Sequence, residues 1–225
     1  MTAKPTTPDA LYDLIYDDLV WRRREIVLFT SQLDKTSEEF QKALLRSSVA
    51  LLYAHWEGFV KNSCSYYLAH LSTKRISFQD LRPELAALSL RGKMTTAALA
   101  KKTSMHAELV RHIRERAAER ATIPIDNDAI RTESNLSYPV LVEILTAVGC
   151  NPHLYSQFAD LIDDQLVRAR NKIAHGEYSF IKRPEWDELS RQVLWLMNDI
   201  ATQLMNAAVE ETYYATKARA FTPPA

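Results

Sequence analysis

The sequence predicts an all-α fold, and three observations carry that expectation. Apolar residues recur at helical spacing through most of the 225-residue chain. Glycine is scarce, with only Gly58, Gly92, Gly149 and Gly176 present. Alternating runs of β-branched residues, which half-buried strands need, are few. The same scarcity excludes the Gly-rich phosphate loops of P-loop and dinucleotide-binding folds, which require several glycines close together.

Each element has its own signal. Thr7-Pro8-Asp9 is a helix start, followed by Ile15, Leu19, Ile26, Phe29 and Leu33 at helical spacing. Thr36 with Glu39 three residues on predicts a capping box for a second, long helix running to about Ser72. Its inward stripe is Phe40, Leu44, Leu51, Leu52, Trp56, Phe59, Val60 and Leu68, wide enough to make the helix central. From Ser77 to Arg120 the chain becomes more polar. Leu81, Leu85 and Leu88 form a short amphipathic piece that Gly92 ends, and a thinly apolar helical stretch follows. Pro124, Asp126, Asn127 and "ESNLSYP" mark a connecting loop. Pro139 fits the first turn of a helix through Val148, and Gly149 is its C′ stop. The next helix covers roughly Tyr155 to Ala174, with Phe158, Leu161, Ile162 and Leu166 inward. A last long helix starts near Glu185 and carries Trp186, Leu189, Val193, Leu196, Ile200 and Leu204. Together these predict one domain over residues 1–225, a bundle of two long helical hairpins. A variable helical insert falls at about 77–120, and a short disordered tail, "FTPPA", closes the chain.

Composition narrows the function classes. Apolar residues make up 47% and charged residues 25%, as in soluble globular proteins. The formal net charge is zero, so no global field draws the protein to nucleic acid or an anionic membrane, and any such contact must be local. Cys64 and Cys150 match neither a disulfide framework nor a metal spacing. No apolar segment reads as a signal peptide or a membrane span, so the expectation is a cytoplasmic protein without membrane contact.

The stretch "LVRARNKIAHGEY" holds the candidate chemistry. In a chain of this composition, an Arg followed five residues later by a His is expected roughly 0.4 times by chance, and Arg-Asn-x-x-x-His about 0.01 times. The full pattern is therefore specific where the pair alone is not. Asn171 and His175, four apart on a helix, share a face, so Asn171 is placed to orient the imidazole or a phosphate. Arg170 lies about 140° away from His175 around a continuous helix. The two converge only if the helix ends between them or a second copy faces the first; Gly176 supplies a break. Charge pattern alone also fits simple compensation of the helix dipole, with Asp160, Asp163 and Asp164 at the front and Arg168, Arg170 and Lys172 at the back.

These residues resemble the signature of the HEPN superfamily, an Arg, a polar residue that is commonly Asn, spacers, then His. "LLYAHWEGFVKNSCSYYLAHL" resembles the long second helix of the RiboL-PSP and MAE-type HEPN branch, and "ESNLSYPVLVEILTAVGCNP" resembles the segment before the motif helix. The likeness runs from about Leu11 to Thr212 and is weakest in the insert. It implies an HEPN-like bundle and a metal-independent endoribonuclease without a cofactor. In such proteins a homodimer brings two motif helices together over an RNA substrate. It further implies a toxin–antitoxin or anti-phage role with an antitoxin or defence partner. On this resemblance Arg170 and His175 are the catalytic candidates, with His175 as acid and base and Arg170 on the phosphate. A non-catalytic HEPN module that binds RNA or nucleotide, or docks a partner protein, is the alternative.

Other residues carry weaker signals. In His55-Trp56-Glu57-Gly58, Trp56 is expected in the core and Gly58 at a close helix approach. Glu57, salt-bridged to Lys61 four residues on, is expected to face the motif and support Arg170 or His175. Lys61 and Lys172 are candidate substrate contacts. The arginines of "VRHIRERAAER" and of Trp21-Arg22-Arg23-Arg24 read as solvated faces, with RNA-backbone contact as the alternative. His70, His106, His112 and His153 stand alone, and no zinc site is expected.

Overall fold

A computed structural model describes residues 4–126 and 129–221. Helix α1 (Pro8–Leu33) starts as its sequence predicts, with the Thr7 hydroxyl accepting from the Ala10 amide at 3.2 Å. Helix α2 (Glu38–Ser72) is the 35-residue axis of the molecule, about 52 Å long at the helical rise. Helices α3 (Pro83–Leu99) and α4 (Thr103–Glu115) follow, then α5 (Tyr138–Val148). The chain continues through a 3-10 stretch (Pro152–Phe158) and a π-helical segment (Leu161–Arg168) into α6 (Ala169–Ala174), and ends in α7 (Arg183–Val209). Two isolated antiparallel bridges are the extent of β pairing among the described residues.

Helices α1, α2 and α7 pack on one another, and the π segment and α6 lie against α2. Trp56, Phe59, Tyr67 and Trp186 fill the centre, and the Trp186 indole donates to the Thr30 hydroxyl at 3.1 Å. The segment that departs from the bundle leaves and returns side by side. The Phe78 amide donates to the Glu119 carbonyl at 2.9 Å, and the Ala121 amide to that of Ile76 at 2.9 Å. Helix α3 packs on α5, whereas α4 buries no residue.

Several local expectations need correction. Thr36 does not cap α2; Ser37 occupies the N-cap position, and the Thr36 hydroxyl donates to the Leu33 carbonyl. Phe40 is exposed, whereas its neighbour Gln41 donates from Nε2 to the carbonyl of Leu33 at the end of α1, at 2.7 Å. Helix α3 runs through Gly92 to Leu99, and open space surrounds Gly92, so nothing there forces a stop. Gly149 does end α5, in the left-handed conformation with φ 78°. The segment from Tyr155 to Ala174 is three helical geometries rather than one. Helix α7 opens two residues earlier than expected, at Arg183. Of the tail, the Phe221 ring lies 4.7 Å from the Arg82 guanidinium, and Thr222 to Ala225 lie outside the described residues, as does Asn127 of the connecting loop.

Candidate active site at the end of the π/α6 helix

The motif helix is shaped from both ends. Its buried residues come in pairs five apart, Leu161 with Leu166 and Ile162 with Val167. The i→i+5 hydrogen bonding of a π-helix places such pairs along one face, where an α-helix would turn the second away from the core. Beyond it, α6 closes in a Schellman turn. The Gly176 amide donates to the Ile173 carbonyl at 3.1 Å, and the Glu177 amide to that of Lys172 at 2.9 Å. Gly176 has φ 76°, a conformation that favours glycine. His175 is the C-cap residue of this turn; its side chain is exposed and has no protein partner among the described residues.

Arg170 is half-buried and held on three sides. Its Nη1 donates to Asn135 Oδ1 at 3.0 Å and to Asn171 Oδ1 at 2.8 Å. Its guanidinium carbon lies 4.6 Å from the ring centroid of Tyr53, a cation–π contact. Nε and Nη2 have no protein acceptor among the described residues. Asn171, expected to orient His175 or a phosphate, gives its carbonyl oxygen to Arg170.

The supporting residues come from distant parts of the chain. The Tyr53 hydroxyl accepts from the Leu136 amide at 2.8 Å, and the Tyr138 amide donates to Asp163 Oδ1 at 2.6 Å. The loop carrying Asn135 is thus tied to α2 on one side and to the π segment on the other. Burial pushes the Tyr53 phenol above its ordinary pKa, and the Glu57 carboxylate one turn on adds to the rise. The Leu136 amide and Arg170 oppose it. Glu57 therefore faces the Tyr53 side of α2, but among the described residues it makes no ion pair with Arg170 or with Lys61. Lys61 and Lys172 are exposed. Arg46, two turns before Tyr53, donates from Nη2 to the Glu177 carbonyl at 3.0 Å and ties α2 to the residue after the motif.

The opposite face of α2 holds a second polar cluster. Arg22 is buried, with Nε 2.8 Å from Asp18 Oδ2 and Nη1 donating to the His55 carbonyl at 3.3 Å. Arg22 is therefore not part of a solvated face, unlike its neighbours Arg23 and Arg24. A Cβ on Gly58 would lie 2.7 Å from Arg22 Nη1, so the close approach expected there is made by a side chain of α1. His55 is 3% exposed, with Nε2 2.9 Å from Glu25 Oε2, and burial holds its pKa below the ordinary histidine value. The partners of His55 are on α1, away from the motif.

Sequence reasoning missed Tyr53, Asn135 and Arg46. Arg46, Tyr53 and Glu57 recur at steps of seven and four residues, a single α2 face whose polarity is visible in the sequence. Asn135 lies 35 residues before Arg170, and no local pattern connects them. Among the described residues, no group of three or more His, Cys, Asp or Glu side chains could hold a metal ion.

An all-α bundle that presents Arg, Asn and His at the closing turn of one helix is a helical domain with a candidate site at a helix terminus. The model of the MAE_28990-like HEPN family matches residues 11–213, and the chain belongs to that family. No curated protein and no solved structure matches it. HEPN domains are commonly ribonucleases or related to nucleotide binding. No helix among the described residues is long and apolar enough to cross a membrane.

Proposed function

We propose that the protein is a metal-independent endoribonuclease whose site is completed by a second copy of the chain. The observation that carries this reading is the state of Arg170: both Nη1 protons are taken by side-chain oxygens and the guanidinium carbon sits over the Tyr53 ring, while Nε and Nη2 have no protein acceptor among the described residues. An arginine held in this way presents a fixed, permanently charged edge matched to a phosphate. The exposed imidazole of His175 stands at the end of the same helix. Imidazole is the side chain whose ordinary pKa permits proton transfer near neutrality.

In the proposed reaction a histidine takes the proton of a ribose 2′-OH. The 2′-oxygen forms a bond to phosphorus, and the bond from phosphorus to the 5′-oxygen breaks. A protonated histidine gives its proton to that leaving oxygen, which yields a 2′,3′-cyclic phosphate and a 5′-hydroxyl. Arg170 stabilises the charge that grows on the phosphoryl oxygens. Two histidines related by a two-fold axis would divide the acid and base roles, and Lys61 and Lys172 would contact the backbone of the RNA. A cytoplasmic toxin or anti-phage role, with an antitoxin or defence partner, fits this activity and the family.

Arg170→Ala and His175→Ala test the assignment. Each is expected to lower RNA cleavage in EDTA by about 10²–10⁴-fold while sedimentation still reports a folded dimer. Wild-type activity in both variants would remove the assignment. RNA binding without cleavage by the unaltered protein would favour a non-catalytic module.

A further inference from the structure

The guanidinium of Arg170 is fixed by residues outside the motif. Nη1 has two protons, and two carbonyl oxygens take them, Asn135 Oδ1 at 3.0 Å and Asn171 Oδ1 at 2.8 Å. The guanidinium carbon sits over the Tyr53 ring, 4.6 Å from its centroid. Tyr53 is itself buried, 1% exposed, and its hydroxyl accepts from the amide of Leu136, the residue next to Asn135. One side chain of α2 therefore supplies the surface under the guanidinium and also anchors the loop that supplies its acceptor.

We propose that Tyr53 and Asn135 are positioning residues for Arg170, fixing its plane and rotation so that the Nε–Nη2 edge is left to bind a substrate phosphate. This rests on the ribonuclease reading above. Neither residue touches the substrate. A side-on guanidinium edge binds two phosphate oxygens only when its orientation is right, and a freely rotating arginine spends little time there. Asn171 alone, adjacent in sequence and on the same helix, fixes one proton of Nη1 and leaves rotation about the side chain open. Asn135 approaches from another element and closes that freedom.

The two residues act in series, which gives the test. Removal of the Tyr53 hydroxyl frees the loop of Asn135 but keeps the ring beneath the guanidinium carbon; Tyr53→Leu removes both. Asn135→Ala and Tyr53→Leu are each expected to lower kcat about ten-fold with KM within two-fold, since an orientation effect is realised mainly in the transition state. Tyr53→Phe is expected to have a smaller effect that vanishes in an Asn135→Ala background. The second arm needs no activity. With ¹⁵N-labelled arginine, and Arg170→Lys to assign the signal, the Nη protons of Arg170 are expected to resolve separately in the unaltered protein and to average in Asn135→Ala. Averaged Arg170 signals in the unaltered protein, or unchanged signals in Asn135→Ala, would overturn the clamp. So would a kcat in Asn135→Ala equal to that of the unaltered protein. If the unaltered protein cleaves no RNA, the ribonuclease reading fails while the resonance arm still decides whether Arg170 is clamped.

Discussion

Gly58 is set by a side chain from another helix. Arg22 crosses α2 where a Cβ would stand 2.7 Å from its Nη1, and Arg22 is held there by Asp18 and the His55 carbonyl. The guanidinium ends a flexible chain, so Gly58→Ala is relieved by moving it, at the cost of those buried bonds. The expected loss is about 1–3 kcal/mol, read as a lower urea midpoint at unchanged slope; an unaltered midpoint would show that Arg22 shifts freely. The run Trp21-Arg22-Arg23-Arg24 shows why this was not legible. Three consecutive arginines look equivalent in sequence, yet the 100° step of a helix sends Arg22 inward and leaves Arg23 and Arg24 in solvent. Asp18, four residues earlier, was the available sign of a paired, buried arginine.

At the scale of elements, the stripe of α7 and the stop at Gly149 were legible because each depends on neighbours within one or two turns. The π segment was not. Leu161/Ile162 and Leu166/Val167 are spaced by five, which an α-helical reading takes as two loosely related pairs, and the packing against α2 selects the wider geometry. At the far end of the same helix the Schellman turn fixes where His175 leaves the motif face. Open space surrounds Gly176, so Gly176→Ala tests the backbone alone. It is expected to cost about 1–2 kcal/mol, the left-handed penalty of a residue with a Cβ. Gly176→Asn should cost less, because asparagine tolerates that region. Equal thermal midpoints for the two variants would argue that another contact holds the turn. The candidate site divides in the same way. Arg170, Asn171 and His175 stand in one short motif, whereas Asn135 and Tyr53 reach it only through the tertiary fold.

For the whole molecule, two buried histidines set a pH dependence. Burial lowers the pKa of His55, against the raising effect of Glu25. Burial also lowers that of His70, whose Nδ1 lies 3.0 Å from the Pro5 carbonyl. Below the ordinary value of 6.5 the unfolded chain therefore binds more protons at these sites than the folded one. Their contribution to stability is full above that pH and is lost as the pH falls towards the depressed folded values. Urea unfolding between pH 7.5 and 5 (chosen to span roughly the histidine range) should show falling stability, and His70→Gln should reduce the slope. A flat profile in the unaltered protein would count against both histidines being neutral in the fold. The reading of the whole as a ribonuclease joins the family, the held arginine and the exposed histidine into one chemical claim, attack by the 2′-oxygen on the adjacent phosphorus. The ends of cleaved RNA record that step. RNA incubated with the protein in EDTA should carry 2′,3′-cyclic phosphate and 5′-hydroxyl termini, and a 2′-deoxy substitution at the cut site should block cleavage there. Cleavage that leaves 3′-hydroxyl ends, or that survives the 2′-deoxy substitution, would contradict it.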